Sequence, residues 1–466
     1  MDKNNGAIYD ARKLGKPKMI ILGVQHMFAM FGATILVPIL TGLDISTTLL
    51  MAGLGTLLFH CITKFKVPAF LGSSFAFLGG YAAIKAFSPN DPNSMLPYAC
   101  LGVACAGLIY FILAAVIKAV GIEKVMRFFP PVVTGPIIIA IGLGLAPSAV
   151  SNCTTNWFLA VVALAVIIVF NIWGKGMAKI IPIILGLLIS YGTGLVLYFI
   201  SQANPDLIQN VPWLFSGGAD ANGVYQPIFD FTSLNTICDN ISKGHIFGSE
   251  GLIGIPIHWD KTVFGGIDYS NGALIASSII AIVPIAFATM MEHIGDICAI
   301  SSTTGNNYIK DPGLHRTLVG DGLATTLASL FGGPANTTYG ENTGVLALTR
   351  VYDPRVIRIA AYFAVAVSFF PIVSVIIGSI PSCIIGGISF VLYGMISAIG
   401  VRNVVENKVD FTKSRNLIVA AVILVCALGL SSDTVSFTIG SAAITLSPLA
   451  VASIAGIVLN AVFPGK

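Results

Sequence analysis

Three carboxylates stand inside apolar stretches of the sequence, away from loops and from the ends of predicted membrane spans: Glu292, Asp296 and Glu341. Inserting such a group at the centre of a membrane helix costs about 2.5–3.5 kcal/mol or more, so an intramembrane carboxylate is by default a candidate functional residue. Glu292 and Asp296 are four residues apart and share a helix face. They can accept hydrogen bonds from a ligand or carry protons. The alternative is that they pair with His293, His26 or hydroxyl groups and only hold helices together.

The elements that must position these groups are membrane helices. The chain has 466 residues, of which 55% are hydrophobic and only 10% charged, and its mean hydropathy is +0.88. A soluble domain has about 25% charged residues. Hydropathy gives about twelve convincing spans of roughly 20 residues and two doubtful ones, 67–84 and 336–350. The first apolar run is too long for a signal-peptide core, so we predict a retained first helix.

The distribution of Lys and Arg decides how many spans cross. If both doubtful segments cross, the chain has fourteen spans with both termini in the cytoplasm, and of its 25 Lys and Arg only Lys85, Lys243 and Lys261 fall outside. If neither doubtful segment crosses, more basic residues fall outside, and these residues lie close to span ends. We therefore predict an all-α polytopic protein with fourteen spans. The polar segment 202–268 is then an extracellular loop, which we expect to be ordered with short strands or hairpins.

The two doubtful spans resemble each other. Residues 73–76 (Ser-Ser-Phe-Ala) and 337–340 (Thr-Thr-Tyr-Gly) share the order hydroxyl, hydroxyl, aromatic, small. Each lies in the third span of a set of seven. Because seven crossings are an odd number, the second set of spans starts on the opposite side of the membrane, so the two halves would have opposite orientation. Paired interrupted segments of this kind indicate an inverted-repeat transporter with a site near the midplane. Extended backbone is tolerated there only if it is buried or lines a cavity, where its N–H groups and the following half-helix can bind acceptor atoms.

Other residues and motifs leave a carrier as the best interpretation. No HExxH, GxSxG or phosphate-binding glycine motif occurs, which argues against an enzyme. The eight Cys form no CxxC pair, which argues against a metal centre or disulfide framework, although pairing of Cys153 with Cys238 stays open. His26 is more often an interior hydrogen bonder than a ligand. One chain with two different broken spans does not supply the pore-lining ring of a channel.

The sequence resembles the nucleobase-ascorbate transporters along almost its whole length, and within them the uracil-transporting members. The last of the matching stretches contains the family signature, here Glu341, Asn342, Gly344, Thr349 and Arg350. The stretches that carry the resemblance are QHMFAMFGATILVP (25–38), VPAFLGSSFAF (67–77), EHIGD (292–296), DPGLHR (311–316) and NTTYGENTGVLALTR (336–350).

The resemblance implies a fold of two inverted repeats of seven spans, with short extended segments in spans 3 and 10. It implies a core domain of residues 1–118 and 269–378 and a gate domain of residues 119–201 and 379–466, with the loop 202–268 between them. Family members are proton or sodium symporters of the plasma membrane that commonly dimerise through their gate domains. We therefore expect the lipid bilayer, a nucleobase and a second copy as partners, no nucleic acid, and no cofactor besides the coupling ion.

The resemblance also implies roles for individual residues. The base is held by the carboxylates of Glu292 and Glu341 and by the backbone N–H groups of Phe75 and Gly340. Ala33 lines the same site and Tyr339 lies beside it. Proton coupling involves Glu292 and Asp296, and a surrounding polar network includes His26 and Asn342.

Two positions bear on the choice of base. Family members that resemble purine permeases usually carry Gln where this chain has Glu341, which favours uracil. Asp296 stands where a uracil-transporting member of the family has His, so the coupling route and the exact base stay open. The alternatives are a purine permease for xanthine or uric acid, an anion transporter on the same architecture, and a membrane scaffold that transports nothing.

Overall fold

The computed structural model describes residues 7–430, 436–439 and 442–463; within these, the side chains of residues 126, 180, 341, 436–439 and 442–445 are not described. The chain is mostly helical. Its helices of eight or more residues in the described part are α1 (Lys16–Thr41), α2 (Ile45–Ile62), α3 (Leu78–Lys85), α4 (Leu96–Val120), α5 (Pro131–Cys153), α6 (Trp157–Trp173), α7 (Pro182–Ala203), α8 (Thr232–Ser242), α9 (Gly272–Ile282), α10 (Ala286–Thr304), α11 (Leu314–Leu330), α12 (Gly340–Thr349), α13 (Pro354–Ser368), α14 (Pro371–Gly378), α15 (Ser382–Glu406), α16 (Ser414–Gly429) and α17 (Pro448–Val462).

Short strands interrupt this helical architecture at three places. In the described part they form three two-stranded antiparallel sheets, which pair β1 with β4, β2 with β3 and β5 with β6. The strands are β1 (Leu71–Ser73), β2 (Ser216–Ala219), β3 (Tyr225–Pro227), β4 (Asn336–Thr338), β5 (Ser436–Ile439) and β6 (Ala442–Thr445). The β2–β3 hairpin lies in the segment 202–268, so the expected short strands of that loop are confirmed. The β5–β6 hairpin between α16 and α17 was not expected.

Several helices are long and apolar enough to cross a bilayer. Among the described residues there are seven such helices, or eight if the broken pair α13 and α14 counts as one span. Three shorter helices, α6, α16 and α17, are also apolar. The chain is therefore an integral membrane protein with many spans, as composition predicted. The count of fourteen, the inverted repeats and the core and gate domains stay predictions.

The contacts divide the chain into two compact units. One unit comprises Met1–Ile141, Ile257–Ser368 and Ile396–Lys466, and the other comprises Gly142–Pro256 and Phe369–Met395. In the second unit α6 packs against α7, and Tyr198 makes edge-on contacts with both Phe229 and Phe231. These aromatic contacts attach part of the loop 202–268 to the end of α7.

The first unit contains both strands β1 and β4, and its helices approach closely. α11 packs against α4 and α2, and α13 packs against α1 and α2. Gly107 of α4 and Gly322 of α11 face each other, and a Cβ on Gly322 would lie 2.6 Å from the Gly107 carbonyl oxygen. Thr326 donates a hydrogen bond of 3.1 Å to the Ala104 carbonyl across the same interface. Small residues thus let the two backbones meet, which is how membrane helices commonly pack.

We predict that Gly322→Ala destabilises the protein. The added methyl group would lie 2.5 Å from the Cβ of Tyr110, so a helix must shift, at a cost of about 1–3 kcal/mol. Gly144→Ala in α5 is the matched control, because a Cβ there meets nothing within 4 Å. Thermal unfolding of the detergent-purified variants measures the difference. Equal melting temperatures for both variants would contradict the close packing of α4 against α11.

Candidate functional site

The candidate site is built around the two extended segments, which pair with each other inside the first unit. Leu71 lies opposite Thr338, and Ser73 lies opposite Asn336. Beyond the strands, the Ser74 N–H donates to the Ala335 carbonyl at 2.8 Å, and the Tyr339 N–H donates to the Phe70 carbonyl at 3.0 Å. All six strand residues are buried. This buried extended backbone therefore satisfies its polar groups by pairing, and the prediction of extended segments in the two doubtful spans is confirmed.

Each strand leads into a short helix, β1 into α3 and β4 into α12. Neither Phe77 before α3 nor Tyr339 before α12 caps its helix with a side-chain hydrogen bond. Because the strands are antiparallel, the chain leaves the sheet in opposite directions toward the two helices. Gly340, the first residue of α12, is exposed. The first turn of α12 thus presents backbone N–H groups and the positive end of a helix dipole, a suitable place for acceptor atoms.

The carboxylates of α10 lie next to this start of α12. The Thr338 hydroxyl donates to Asp296 Oδ2 at 2.9 Å, and a Cβ on Gly340 would lie 3.8 Å from Asp296 Oδ1. Glu292 lies one turn earlier on α10, and both carboxylates are half-buried. The structure therefore brings Asp296 and Gly340 together, with Glu292 one turn away on α10. Glu341 is the second residue of α12, but its side chain lies outside the described part.

Tyr339 faces the sheet and fastens the two strands to α1. Its hydroxyl donates to the Ser73 carbonyl at 3.0 Å, and the Thr34 hydroxyl donates to Tyr339 Oη at 3.3 Å. The ring covers Gly72 so closely that a Cβ there would lie 2.5 Å from ring carbons. Ala33, beside Thr34 on α1, is fully buried, and Phe75 follows β1 with 8% of its surface exposed. These contacts with Ser73, Thr34 and Gly72 fix the Tyr339 ring against the sheet.

A histidine and an asparagine connect α1 to α12. Asn342 Nδ2 lies 3.2 Å from His26 Nδ1 and donates to the His26 carbonyl at 3.1 Å. Both side chains are buried. This contact brings together the two residues that were assigned to a polar network and fixes the first turn of α12 against α1.

A carboxylate in the interior of the protein, Asp321, was missed in the sequence analysis. It lies in the middle of α11 with its side chain fully buried, and its Oδ2 is 3.2 Å from Nδ1 of the equally buried His293. His293 Nδ1 is also 3.4 Å from the Thr338 hydroxyl, so the pair adjoins β4. The count of three interior carboxylates was therefore wrong. The sequence held a signal for it, since Asp321 is the only charged residue in the stretch 317–331.

The arrangement is suited to bind a small polar molecule. Carboxylate oxygens on α10 accept hydrogen bonds, and the N–H groups at the start of α12 donate them. Within the described residues, no group of three or more His, Cys, Asp or Glu is placed to hold a metal ion. The chemistry on offer is recognition by hydrogen bonds together with carboxylates that can exchange protons.

Comparisons with known proteins identify the family to which the chain belongs. The profile of the Permease family matches residues 17–436. The chain belongs to that family, the nucleobase-ascorbate transporters. It is a membrane transport protein, and the prediction that it is not an enzyme is confirmed, since its relatives are permeases.

Three relatives illustrate the match. The uracil permease of Bacillus caldolyticus is 38% identical over 458 residues, which cover 96% of this chain and 92% of that protein. The probable uracil permease of Haemophilus influenzae is 34% identical, with 97% of this chain and 96% of that protein covered. The putative pyrimidine permease RutG of Escherichia coli is 34% identical, with 99% and 93% covered.

Solved structures share the fold at low sequence identity. The transmembrane domain of the cyanobacterial bicarbonate transporter BicA superposes with a TM-score of 0.58 and 12% identity, covering 97% of this chain and 99% of that one. The murine anion transporter Slc26a9 gives a TM-score of 0.51 and 11% identity, with 99% and 73% covered. At these identities the likeness concerns the fold alone.

We predict that Asp321→Ala destabilises the protein strongly. Removing one partner of this fully buried pair leaves the other polar group unsatisfied, at a cost of about 1–3 kcal/mol. Because Asp321 and His293 interact, their effects should not add. The double variant Asp321→Ala with His293→Ala should lower the free energy of unfolding by less than the sum of the two single variants. Chemical unfolding of the purified variants measures these free energies.

The matched control for this prediction is Asp239→Ala. Asp239 pairs with Lys243 on α8, but both side chains are more than half exposed, so the loss of this pair should not be measurable. Equal effects of Asp321→Ala and Asp239→Ala, or single losses that simply add in the double variant, would contradict a coupled buried pair.

Proposed function

We propose that this protein imports uracil together with protons by alternating access. The observation that carries the proposal is the contact of Asp296 with the start of α12, beside two paired strands. Glu292 lies one turn away on the same helix. The relatives named as uracil permeases support the choice of base. We further propose that the protein lies in the plasma membrane with both termini cytoplasmic and dimerises through its gate domain.

The chemistry of uracil matches the groups at this site. Uracil has two ring N–H donors and two carbonyl acceptors, so carboxylates can accept from the donors while N–H groups at a half-helix serve the carbonyls. In our proposal Glu292 and Glu341 are the acceptors, and Phe75 and Gly340 provide the N–H groups. A site of this kind rejects analogues that leave a buried partner unpaired.

Proton coupling is proposed to act through the same carboxylates. A proton on Glu292 or Asp296 would neutralise charge in a poorly hydrated site before the protein rearranges. Moving one charge through 100 mV is worth about 2.3 kcal/mol, which corresponds to roughly fifty-fold accumulation of an uncharged base. The contact of the Thr338 hydroxyl with Asp296 would hold the second carboxylate beside the start of α12. Sodium is the alternative coupling ion.

Two rival substrates remain. A purine permease would use the same site for a larger base, and its uptake would be blocked by xanthine rather than uracil. An anion transporter has the shared fold in its favour, but carboxylates beside the start of α12 would repel an anion unless they were protonated. Xanthine and bicarbonate are therefore the informative competitors.

We expect purified protein in proteoliposomes to accumulate radiolabelled uracil when a proton gradient is imposed. Glu292→Gln removes a charged acceptor of a ring N–H, so it should lower uptake at low uracil concentration about tenfold to a hundredfold. Glu123→Gln, the same substitution on an exposed carboxylate, is the matched control and should retain uptake.

Two results would contradict the proposal. Wild-type uptake that ignores the proton gradient would exclude protons as the coupling ion. Uptake blocked by xanthine or bicarbonate but not by uracil would move the assignment to one of the two rivals.

A further inference from the structure

The N-terminal strap, residues 8–14, joins the ends of two helices that carry the candidate site. The Ile8 N–H donates to the Arg350 carbonyl at 2.8 Å, and the Tyr352 N–H donates to the Ile8 carbonyl at 2.8 Å. This bridge holds the turn that ends α12, where Arg350 has a left-handed φ of 55°. The strap therefore fixes the end of α12 that is distant from Gly340.

The same strap also reaches the end of α10. The Tyr9 hydroxyl donates to the carbonyl of Thr304, the last residue of α10, at 2.6 Å. The Tyr9 ring packs edge-on against Tyr352, with centroids 5.4 Å apart. One residue thus contacts both the end of α10 and the segment that follows α12.

Charged and apolar contacts hold the strap in place. The Ala11 N–H donates to Asp353 Oδ2 at 2.8 Å, and Arg355 Nη1 lies 2.9 Å from Asp10 Oδ1 and 3.0 Å from Asp353 Oδ2. Arg12 pairs with Asp10 at 2.9 Å. Ala11 is fully buried in a small core. The other members of that core are Val351 and Val356, with Ile8, Leu14, Met19 and Leu22 packed against it.

Helix geometry relates the strap to the site. An α-helix rises 1.5 Å per residue, so Thr304 lies about 12 Å along α10 from Asp296, and Arg350 lies about 15 Å along α12 from Gly340. The hydrogen bond from Thr338 to Asp296 joins α10 to the end of β4, two residues before α12 begins. The strap joins α10 and α12 at their other ends. Two separate ties fix how far one helix can slide or tilt against the other.

We propose that the N-terminal strap is a positioning device for the substrate site, with Tyr9 and the Ile8 bridge as its positioning residues. This inference rests on the proposed function, which supplies uracil as the substrate. The strap, α10 and α12 all belong to the first compact unit, so the strap acts on the alignment of binding groups within that unit. It therefore changes substrate affinity and leaves the maximal rate of transport nearly unchanged.

The ion pair of Asp10 with Arg12 is insensitive to pH in the range where transport is assayed. The Arg12 guanidinium, through its hydrogen bond to Asp10, lowers the pKa of that carboxyl group from 3.8 to about 2. Its folded-state pKa lies below the unfolded value, so the stabilisation is present above pH 3.8 and is lost as the pH falls through about 2. Near neutral pH, the change in transport that each strap variant causes relative to wild type should therefore not depend on pH.

The test compares two strap variants, each with a matched control. Ile8→Pro removes the N–H that donates to Arg350, and Ala7→Pro places proline one residue earlier, before the bridge. Tyr9→Phe removes only the hydroxyl, and Tyr269→Phe removes a comparable hydrogen bond of 2.7 Å to the Val263 carbonyl. Both controls should behave as wild type.

Uracil uptake and amide hydrogen exchange are the two measurements. We expect Ile8→Pro to raise the apparent KM for uracil about threefold to tenfold, with a smaller rise for Tyr9→Phe and little change in maximal rate, since one hydrogen bond is worth about 1 kcal/mol. Exchange, measured without substrate, should speed up at residues 300–304 and 345–350 in the strap variants only.

Several outcomes would overturn the inference. An unchanged KM in Ile8→Pro overturns it, as does a fall in maximal rate at constant KM. Unchanged exchange at both helix ends overturns it as well. If the wild type transports no uracil, the proposed function fails, and the exchange measurement alone then decides whether the strap holds the ends of α10 and α12.

Discussion

The structure depends on one constraint, which is that extended backbone at membrane depth must find hydrogen-bond partners within the protein. β1 and β4 meet this constraint by pairing with each other in an antiparallel register. This pairing joins the two halves of the chain at a place where both are extended rather than helical. The pairing also fixes where α3 and α12 begin, and so where their N–H groups lie. The candidate site is a consequence of how the protein satisfies its own backbone.

Buried polar side chains surround the sheet and hold it in position. Tyr339 joins β4 to Ser73 and to Thr34 of α1, while Thr338 contacts Asp296 of α10. His293 and Asp321 form a second layer behind Thr338. Polar groups buried in this way are costly unless each has a partner, so a change at one alters the geometry of the others. The carboxylates are therefore held by the same network that stabilises the strands.

The sequence was sufficient to predict the class of protein and the two broken segments. Few charges, long apolar runs and the polar insertions at 67–84 and 336–350 carry that information locally. The pairing of Leu71 with Thr338 could not be predicted, because it joins residues far apart in the chain. The direction of the Tyr339 side chain depends on that register.

The strap shows a further limit of local patterns. Residues 8–14 contain Arg12 and Lys13 but no motif that predicts a contact with a distant part of the chain. In the structure Ile8, Tyr9 and Ala11 instead make hydrogen bonds with residues around 304 and 350–353. A hydrogen bond to a distant backbone carbonyl has no signature in the sequence.

The most direct test of the central claim, that α10 carboxylates at the start of α12 bind the substrate together with protons, is calorimetry of uracil binding to the purified protein. Titrations in buffers that differ in ionisation enthalpy report the protons taken up on binding. Linkage requires that a site which binds both ligands cooperatively takes up protons when uracil binds. We predict net proton uptake in the wild type and its loss in Glu292→Gln. Uracil binding without proton uptake, or proton uptake that persists in Glu292→Gln, would contradict the account.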